Sequence, residues 1–92
     1  MAKFKTKFKA FGRAFCFTLN TDNLARDYDD EDFAYWIKYR GGFYFEINIK
    51  KELNKEGYFD YTDKGWVKCY ETRGNFEDDK YTETHSFTFH RA

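Results

Sequence analysis

The sequence predicts a mainly β fold, in the form of one small antiparallel meander, a curled sheet or a small barrel of about five or six strands. Aromatic residues make up 24% of the chain, and aromatic side chains favour strands over helices. Apolar and polar residues alternate over several runs, which is the pattern of a half-buried strand. Glycines separate these runs where hairpin turns are expected.

Residues 1–92 are predicted to form a single domain, because halves of so short a chain could not bury separate cores. No stretch approaches the ~18 apolar residues of a membrane span. The two cysteines, Cys16 and Cys69, lie far apart, which favours reduced thiols inside a cell. We therefore expect a cytoplasmic protein without a membrane partner, located in the host cytoplasm if the chain is viral.

Sixteen basic and sixteen acidic residues cancel, so no overall field attracts nucleic acid or an anionic membrane. The charges are nevertheless separated along the chain. The basic N-terminal segment supplies candidate contacts with phosphate or with an acidic protein surface: Lys3, Lys5, Lys7, Lys9 and Arg13. An acidic run follows, which is a candidate partner-binding patch: Asp29, Asp30, Glu31 and Asp32.

The motif KFKTKFK places four lysines on one face of a strand, at intervals of about 6.6–6.8 Å. This spacing matches two phosphate steps of ~3.4 Å along one DNA strand, whereas lysines also protect an exposed edge strand from aggregation. We favour the edge-strand interpretation. The apolar positions change parity near Ala10, Phe11 and Gly12, which predicts a β-bulge or a sharp bend there.

Residues 33–49 predict a β-hairpin that turns at Gly41 and Gly42. A loop of these two glycines alone would mix charged and aromatic side chains on both faces. A three-residue loop that includes Arg40 gives one apolar face and one mixed face, as a half-buried pair of strands requires. We therefore expect the three-residue loop. Its inner face would consist of Phe33, Tyr35, Ile37, Tyr39, Phe43, Phe45, Ile47 and Ile49.

A second hairpin is predicted over residues 59–70, with Asp63, Lys64 and Gly65 as its loop. This loop would place Asp60 opposite Lys68 as a cross-strand ion pair. It would also send Cys69 toward the core.

Three further elements are predicted. Residues 21–32 are irregular and have room for at most one short helix. Residues 54–57 predict a turn. The last strand is expected at about residues 81–90, with Phe87 and Phe89 facing the core.

Outward aromatic side chains are the candidate contacts with a protein partner, because tryptophan and tyrosine dominate binding at protein interfaces. The predicted hairpins leave four such residues outside: Trp36, Tyr44, Trp66 and Tyr70.

No catalytic, metal or cofactor site is predicted. Ser86 is the only serine, and its neighbour His85 lies on the opposite face of the same strand. Cys16 is expected to point outward and Cys69 inward, so neither a disulfide nor a zinc site with His85 and His90 is expected. The acidic run lacks the glycine and distal glutamate of an EF-hand loop. We therefore predict that the protein is not an enzyme.

The first functional hypothesis is a non-enzymatic protein-binding module that occludes the surface of a host protein. A composition rich in Lys, Asn, Phe and Tyr and free of proline is typical of small phage proteins, which suggests a phage-type inhibitor, for example of a defence system.

The first alternative is a small β-barrel that binds single-stranded nucleic acid. The motif RGGFYFEI is similar to the signature of a basic residue and glycine followed by alternating aromatic residues. In this hypothesis the lysines contact phosphates, and Tyr44 or Trp36 stacks on bases. A further alternative is a self-assembling or virion structural protein, and a homodimer remains open.

Overall fold

The computed structural model describes residues 3–20, 33–84 and 87–91. The helix predicted within residues 21–32 and the acidic run at residues 29–32 lie outside the described residues. The described part contains one helix, α1 (Arg73–Glu77), and seven strands: β1 (Lys3–Ala10), β2 (Arg13–Asn20), β3 (Phe33–Arg40), β4 (Phe43–Leu53), β5 (Phe59–Tyr70), β6 (Thr82–Thr84) and β7 (Phe87–Arg91). The mainly β fold class is confirmed.

The described strands form two antiparallel sheets, with strand orders β2-β1-β7 and β3-β4-β5-β6. The prediction of a single curled sheet or barrel is therefore wrong in its arrangement. The sheets face each other as a sandwich around one core, to which both contribute. Ring contacts join them directly, because the Phe8 and Phe45 ring centroids lie 5.2 Å apart.

The C-terminal segment contributes to both sheets. β6 pairs with β5, whereas β7 pairs with β1. The single strand predicted at residues 81–90 is therefore wrong, because its two parts lie in different sheets. Phe87 and Phe89 do pack against the core, as predicted.

β1 and β2 form a hairpin, where a bulge or bend in one long strand was predicted. Ala10 pairs with Arg13, and Phe11 and Gly12 form the two-residue turn between them. Both turn residues have positive φ, 53° and 72°, as the right-handed twist of the flanking strands favours. The change of parity was located correctly, but it marks a reversal of the chain.

β3 and β4 are joined by Gly41 and Gly42 alone, so the predicted three-residue loop is wrong. Arg40 pairs with Phe43, and Trp36 pairs with Ile47. Both glycines have positive φ, 61° and 87°, which is the geometry of a type I′ turn. The shift by one residue reverses the two faces of β3, while the core-facing positions of β4 stay as predicted.

This register places the charged Arg40 on the inner side of β3, where contacts with β2 stabilise its guanidinium. Its Nη1 donates a hydrogen bond of 2.7 Å to the Cys16 carbonyl oxygen. Its guanidinium also lies 4.4 Å from the centroid of the Phe17 ring. β2 is at the edge of its sheet among the described strands. A side chain from β3 therefore satisfies a backbone carbonyl that no described strand pairs with.

Trp36 makes a second link from β3 to this edge. The residue is fully buried, and its Nε1 donates a hydrogen bond of 2.9 Å to the Asn20 carbonyl oxygen. A buried indole N–H normally requires such a partner. Trp36 therefore joins the two sheets by packing and by a hydrogen bond.

Residues 59–70 form one continuous strand, so the second predicted hairpin is wrong. Both ends of the strand pair with β4, and the register shifts between Ile49 and Lys51, opposite the unpaired residues 62–64. Lys68 consequently lies opposite Glu46 rather than Asp60. Cys69 is buried, as predicted.

The turn predicted at residues 54–57 is confirmed. The Asn54 side-chain oxygen accepts hydrogen bonds from the backbone N–H groups of Glu56 and Tyr58, at 2.9 and 3.0 Å. The Gly57 N–H donates to the Asn54 carbonyl oxygen. This asparagine-centred turn connects β4 to β5.

No helix in the described residues is long and apolar enough to cross a membrane.

Candidate functional site

The outer face of the four-stranded sheet is rich in exposed and half-exposed rings. Side chains alternate along each strand, so the residues between core positions point outward. We call this surface the aromatic face, and it consists of Phe33, Tyr35, Ile37, Tyr39, Tyr44, Trp66 and Phe76.

One end of the aromatic face is a row of three rings. Tyr39 is 63% exposed, and its ring lies 4.8 Å from that of Tyr44. The Tyr44 ring stacks on Phe76 at 5.0 Å. The row therefore crosses from the edge strand β3 to helix α1.

Helix α1 places Phe76 on this row. The Thr72 side chain caps the helix by accepting a hydrogen bond of 3.0 Å from the Asn75 N–H. The helix ends at Glu77, with Asp78 as its C-cap. The φ of 55° at Asp79 then allows the Lys80 N–H to donate to the Asn75 carbonyl oxygen. This helix was not predicted from the sequence, although a threonine at the N-cap is a usual start signal.

Tyr70 lies beneath the helix and is only 3% exposed. Its ring contacts Phe76 and Tyr81, and its hydroxyl donates a hydrogen bond of 3.0 Å to Asp79 Oδ1. Burial and this hydrogen bond raise the pKa of Tyr70 far above its ordinary value. Tyr70 therefore supports the face and is not available to a partner, contrary to the prediction.

The other end of the aromatic face centres on Trp66, which is half-buried. Its ring meets that of Phe33 edge-to-face at 5.0 Å. Trp66 Nε1 is buried and has no hydrogen-bond partner within the described part of the chain. Trp66 lies opposite Asn48, which is only 7% exposed. This end of the face therefore combines ring surface with an unsatisfied donor.

An ion pair lies between the two ends. Lys68 Nζ is 3.5 Å from Glu46 Oε2, and both side chains are about one-fifth exposed, at 22% and 21%. Burial alone would lower the pKa of Lys68, but the neighbouring Glu46 carboxylate, with Tyr81 and Asp79, raises it above its ordinary value. Lys68 therefore stays charged at neutral pH, and its ion pair with Glu46 gives the face a polar centre.

The predicted aromatic contacts divide into two groups. Tyr44 and Trp66 lie on the aromatic face, as expected. Trp36 is in the core, so its predicted outward position is wrong, because the two-residue loop reverses β3. The same reversal exposes Tyr39 at the surface instead.

The opposite side of the sandwich carries the four predicted lysines. All four side chains are exposed and project from β1. β1 pairs with β2 on one side and with β7 on the other, so the edge-strand interpretation is wrong. We call this outer surface of the three-stranded sheet the lysine face, and its lysines are Lys3, Lys5, Lys7 and Lys9.

Arg13 does not belong to the lysine face. It pairs with Ala10, whose parity is that of the core-facing residues of β1. Its guanidinium carbon lies 5.6 Å from the centroid of the Phe43 ring. The structure therefore separates Arg13 from the lysines with which the sequence grouped it.

A shallow cleft is lined by residues that include Phe11, Cys69, Lys80 and Tyr81. Burial raises the pKa of the Cys69 thiol to about 11, so the thiol stays protonated near neutral pH and is a poor nucleophile. Among residues 3–20, 33–84 and 87–91, no three His, Cys, Asp or Glu side chains cluster as metal ligands. The cleft therefore holds a thiol that is not activated for catalysis.

The chain is thus a small two-sheet antiparallel β protein with an aromatic face on one side and a lysine face on the other. No known family, curated protein or solved structure matches it. The two faces therefore provide the basis for a functional proposal.

Proposed function

We propose that the protein is a non-enzymatic protein-binding module that covers part of a partner's surface with its aromatic face. The observation that carries the proposal is the row of Tyr39, Tyr44 and Phe76 at one end of the outer side of one sheet, with Trp66 at the other end. Exposed apolar surface of this kind marks interaction sites, and tryptophan and tyrosine are the residues most enriched among binding hot spots.

The arrangement of the face suits binding with little loss of entropy. Tyr44 and Trp66 project from paired strands, and Phe76 is held by the capped helix. Side chains fixed before binding lose less conformational freedom when a partner arrives. The Glu46–Lys68 pair adds a charged centre that favours partners of complementary polarity.

The more specific proposal is a small phage-type inhibitor that acts on a host protein in the cytoplasm. Its support is the composition of the chain, rich in Lys, Asn, Phe and Tyr and lacking proline. Occlusion of a surface requires no catalytic group, and the unactivated Cys69 is consistent with such an action.

Binding of single-stranded nucleic acid receives less support from the geometry. That function needs stacking rings and phosphate contacts along one path. Tyr44 lies on the aromatic face, Trp36 is in the core, and the lysines are on the opposite side of the sandwich. One strand could not reach both kinds of contact.

The proposal predicts that Tyr39→Ala and Trp66→Ala each weaken binding of the protein partner at least tenfold, which corresponds to about 1.4 kcal/mol. The tagged protein is used to capture partners from nuclease-treated lysate, and the partner's dissociation constant is then measured with each variant. Lys5→Gln is the control, because it changes an exposed side chain on the opposite face and should leave the dissociation constant unchanged.

If the partner binds both aromatic variants as tightly as the wild type, the aromatic face is excluded as its binding site. Retention of no protein by the wild type would contradict the proposal as a whole. Capture of further copies of this chain alone would instead indicate self-assembly.

A further inference from the structure

The lysine face is a ladder of like charges, and none of the described residues paired with its lysines carries a negative charge. The residues paired with its lysines across β2 and β7 share the same face. None of them is acidic: Ala14, Cys16, Thr18, Asn20, Thr88 and His90. In a chain with no net charge, this surface therefore concentrates four positive charges on one strand.

The chemistry of the face favours phosphate over a protein surface. Lysine is depleted at protein–protein interfaces, which are enriched instead in aromatic residues and arginine. Lysines at every second position of a strand lie about 6.6–6.8 Å apart. The ladder from Lys3 to Lys9 therefore spans about 20 Å, or roughly six phosphate steps of ~3.4 Å along a duplex.

The neighbours of the lysines favour a duplex over a single strand. Single strands are held by stacking of their bases on aromatic side chains. Among the described residues paired with the lysines, the imidazole of His90 is the only ring, and the others are small. The lysine side chains therefore extend from a surface without large neighbours and can contact the phosphate backbone of a rigid duplex.

We propose that the lysine face binds the phosphate backbone of double-stranded nucleic acid without sequence preference. This function is additional to the proposed protein binding and uses the opposite side of the sandwich. Both faces can therefore be occupied at the same time.

The salt dependence of binding tests the proposal. Anisotropy of a labelled duplex of ~20 base pairs is measured in ~20 to ~200 mM NaCl, and four contacts give a slope of about −3.6 in log K against log salt. The double variant Lys5→Gln/Lys7→Gln should reduce the slope to about −1.8. The matched control Lys55→Gln/Lys64→Gln removes the same charge away from the face and should keep the wild-type slope.

Three further probes separate the sources of negative charge: a single-stranded oligonucleotide, polyglutamate, and vesicles containing phosphatidylserine. The proposal expects the duplex to bind more tightly than each of them. Tighter binding of any of these probes would overturn it, as would no duplex binding at the lowest salt concentration. The proposal would also be overturned if the control variant showed an equally reduced slope of log K against log salt. The salt dependence would then follow the net charge of the protein and not the position of the lysines. Circular dichroism of each variant establishes that the fold is retained.

Discussion

Trp36→Ala is expected to lower the free energy of unfolding by about 3–5 kcal/mol. Trp36 is fully buried, so its removal leaves a large cavity between the two sheets. It also removes the hydrogen bond from Nε1 to the Asn20 carbonyl oxygen at 2.9 Å. Domains of this size are stable by about 5–15 kcal/mol, so the variant should be only marginally folded.

Trp66→Ala is the matched control, because it removes the same side chain from a half-buried position. Trp66→Ala should lower the free energy of unfolding by less than half as much as Trp36→Ala. Urea unfolding followed by circular dichroism compares the two variants. Equal losses, or a larger loss for Trp66→Ala, would show that Trp36 is not the buried tryptophan.

Gly65→Ala is expected to lower the free energy of unfolding by about 3 kcal/mol or more, because β4 leaves no space for a side chain at this position. Gly65 pairs with Ile49. A Cβ at Gly65 would overlap the backbone carbonyl of Asn48 and would lie 3.1 Å from the Ile49 Cα. Backbone atoms held in a central strand cannot move aside as a flexible side chain can, so the pairing of β4 with β5 must distort.

Gly57→Ala separates this steric effect from the general loss of a glycine. Gly57 has a φ of 86°, but a Cβ there would have no atom within 4 Å. Gly57→Ala should lower the free energy of unfolding by only about 1–2 kcal/mol, because alanine is strained in the left-handed backbone conformation. Urea midpoints of the two variants give the comparison. A Gly65→Ala protein at least as stable as Gly57→Ala would contradict the close approach of β5 to β4.

The sequence was sufficient to predict the alternation within strands. Phe45, Ile47 and Ile49 face the core as expected, because this parity is a property of β4 alone. The parity of β3 depends on the number of loop residues. The predicted loop avoided placing Lys38 and Arg40 on the inner side, and the Arg40 partner is a carbonyl on β2 that sequence spacing does not show.

Gly65 shows a second limit of sequence interpretation. A glycine after Asp63 and Lys64 is typical of a turn, but the structure uses it where two strands approach closely. The aromatic face was only half predicted for related reasons. Tyr44 and Trp66 were found, whereas Phe76 depended on a helix of five residues that is too short to show an apolar period.

The register of β3 against β4 is the central claim, because it decides which rings lie in the core and which form the aromatic face. A two-residue loop makes Ile37 and Glu46 a non-hydrogen-bonded pair, whose α-carbons approach to about 4.5 Å. We expect a nuclear Overhauser effect between the Hα protons of Ile37 and Glu46. A three-residue loop would instead make Lys38 and Tyr44 the non-hydrogen-bonded pair. An effect between the Hα protons of Lys38 and Tyr44 would therefore establish that loop and return Trp36 to the surface.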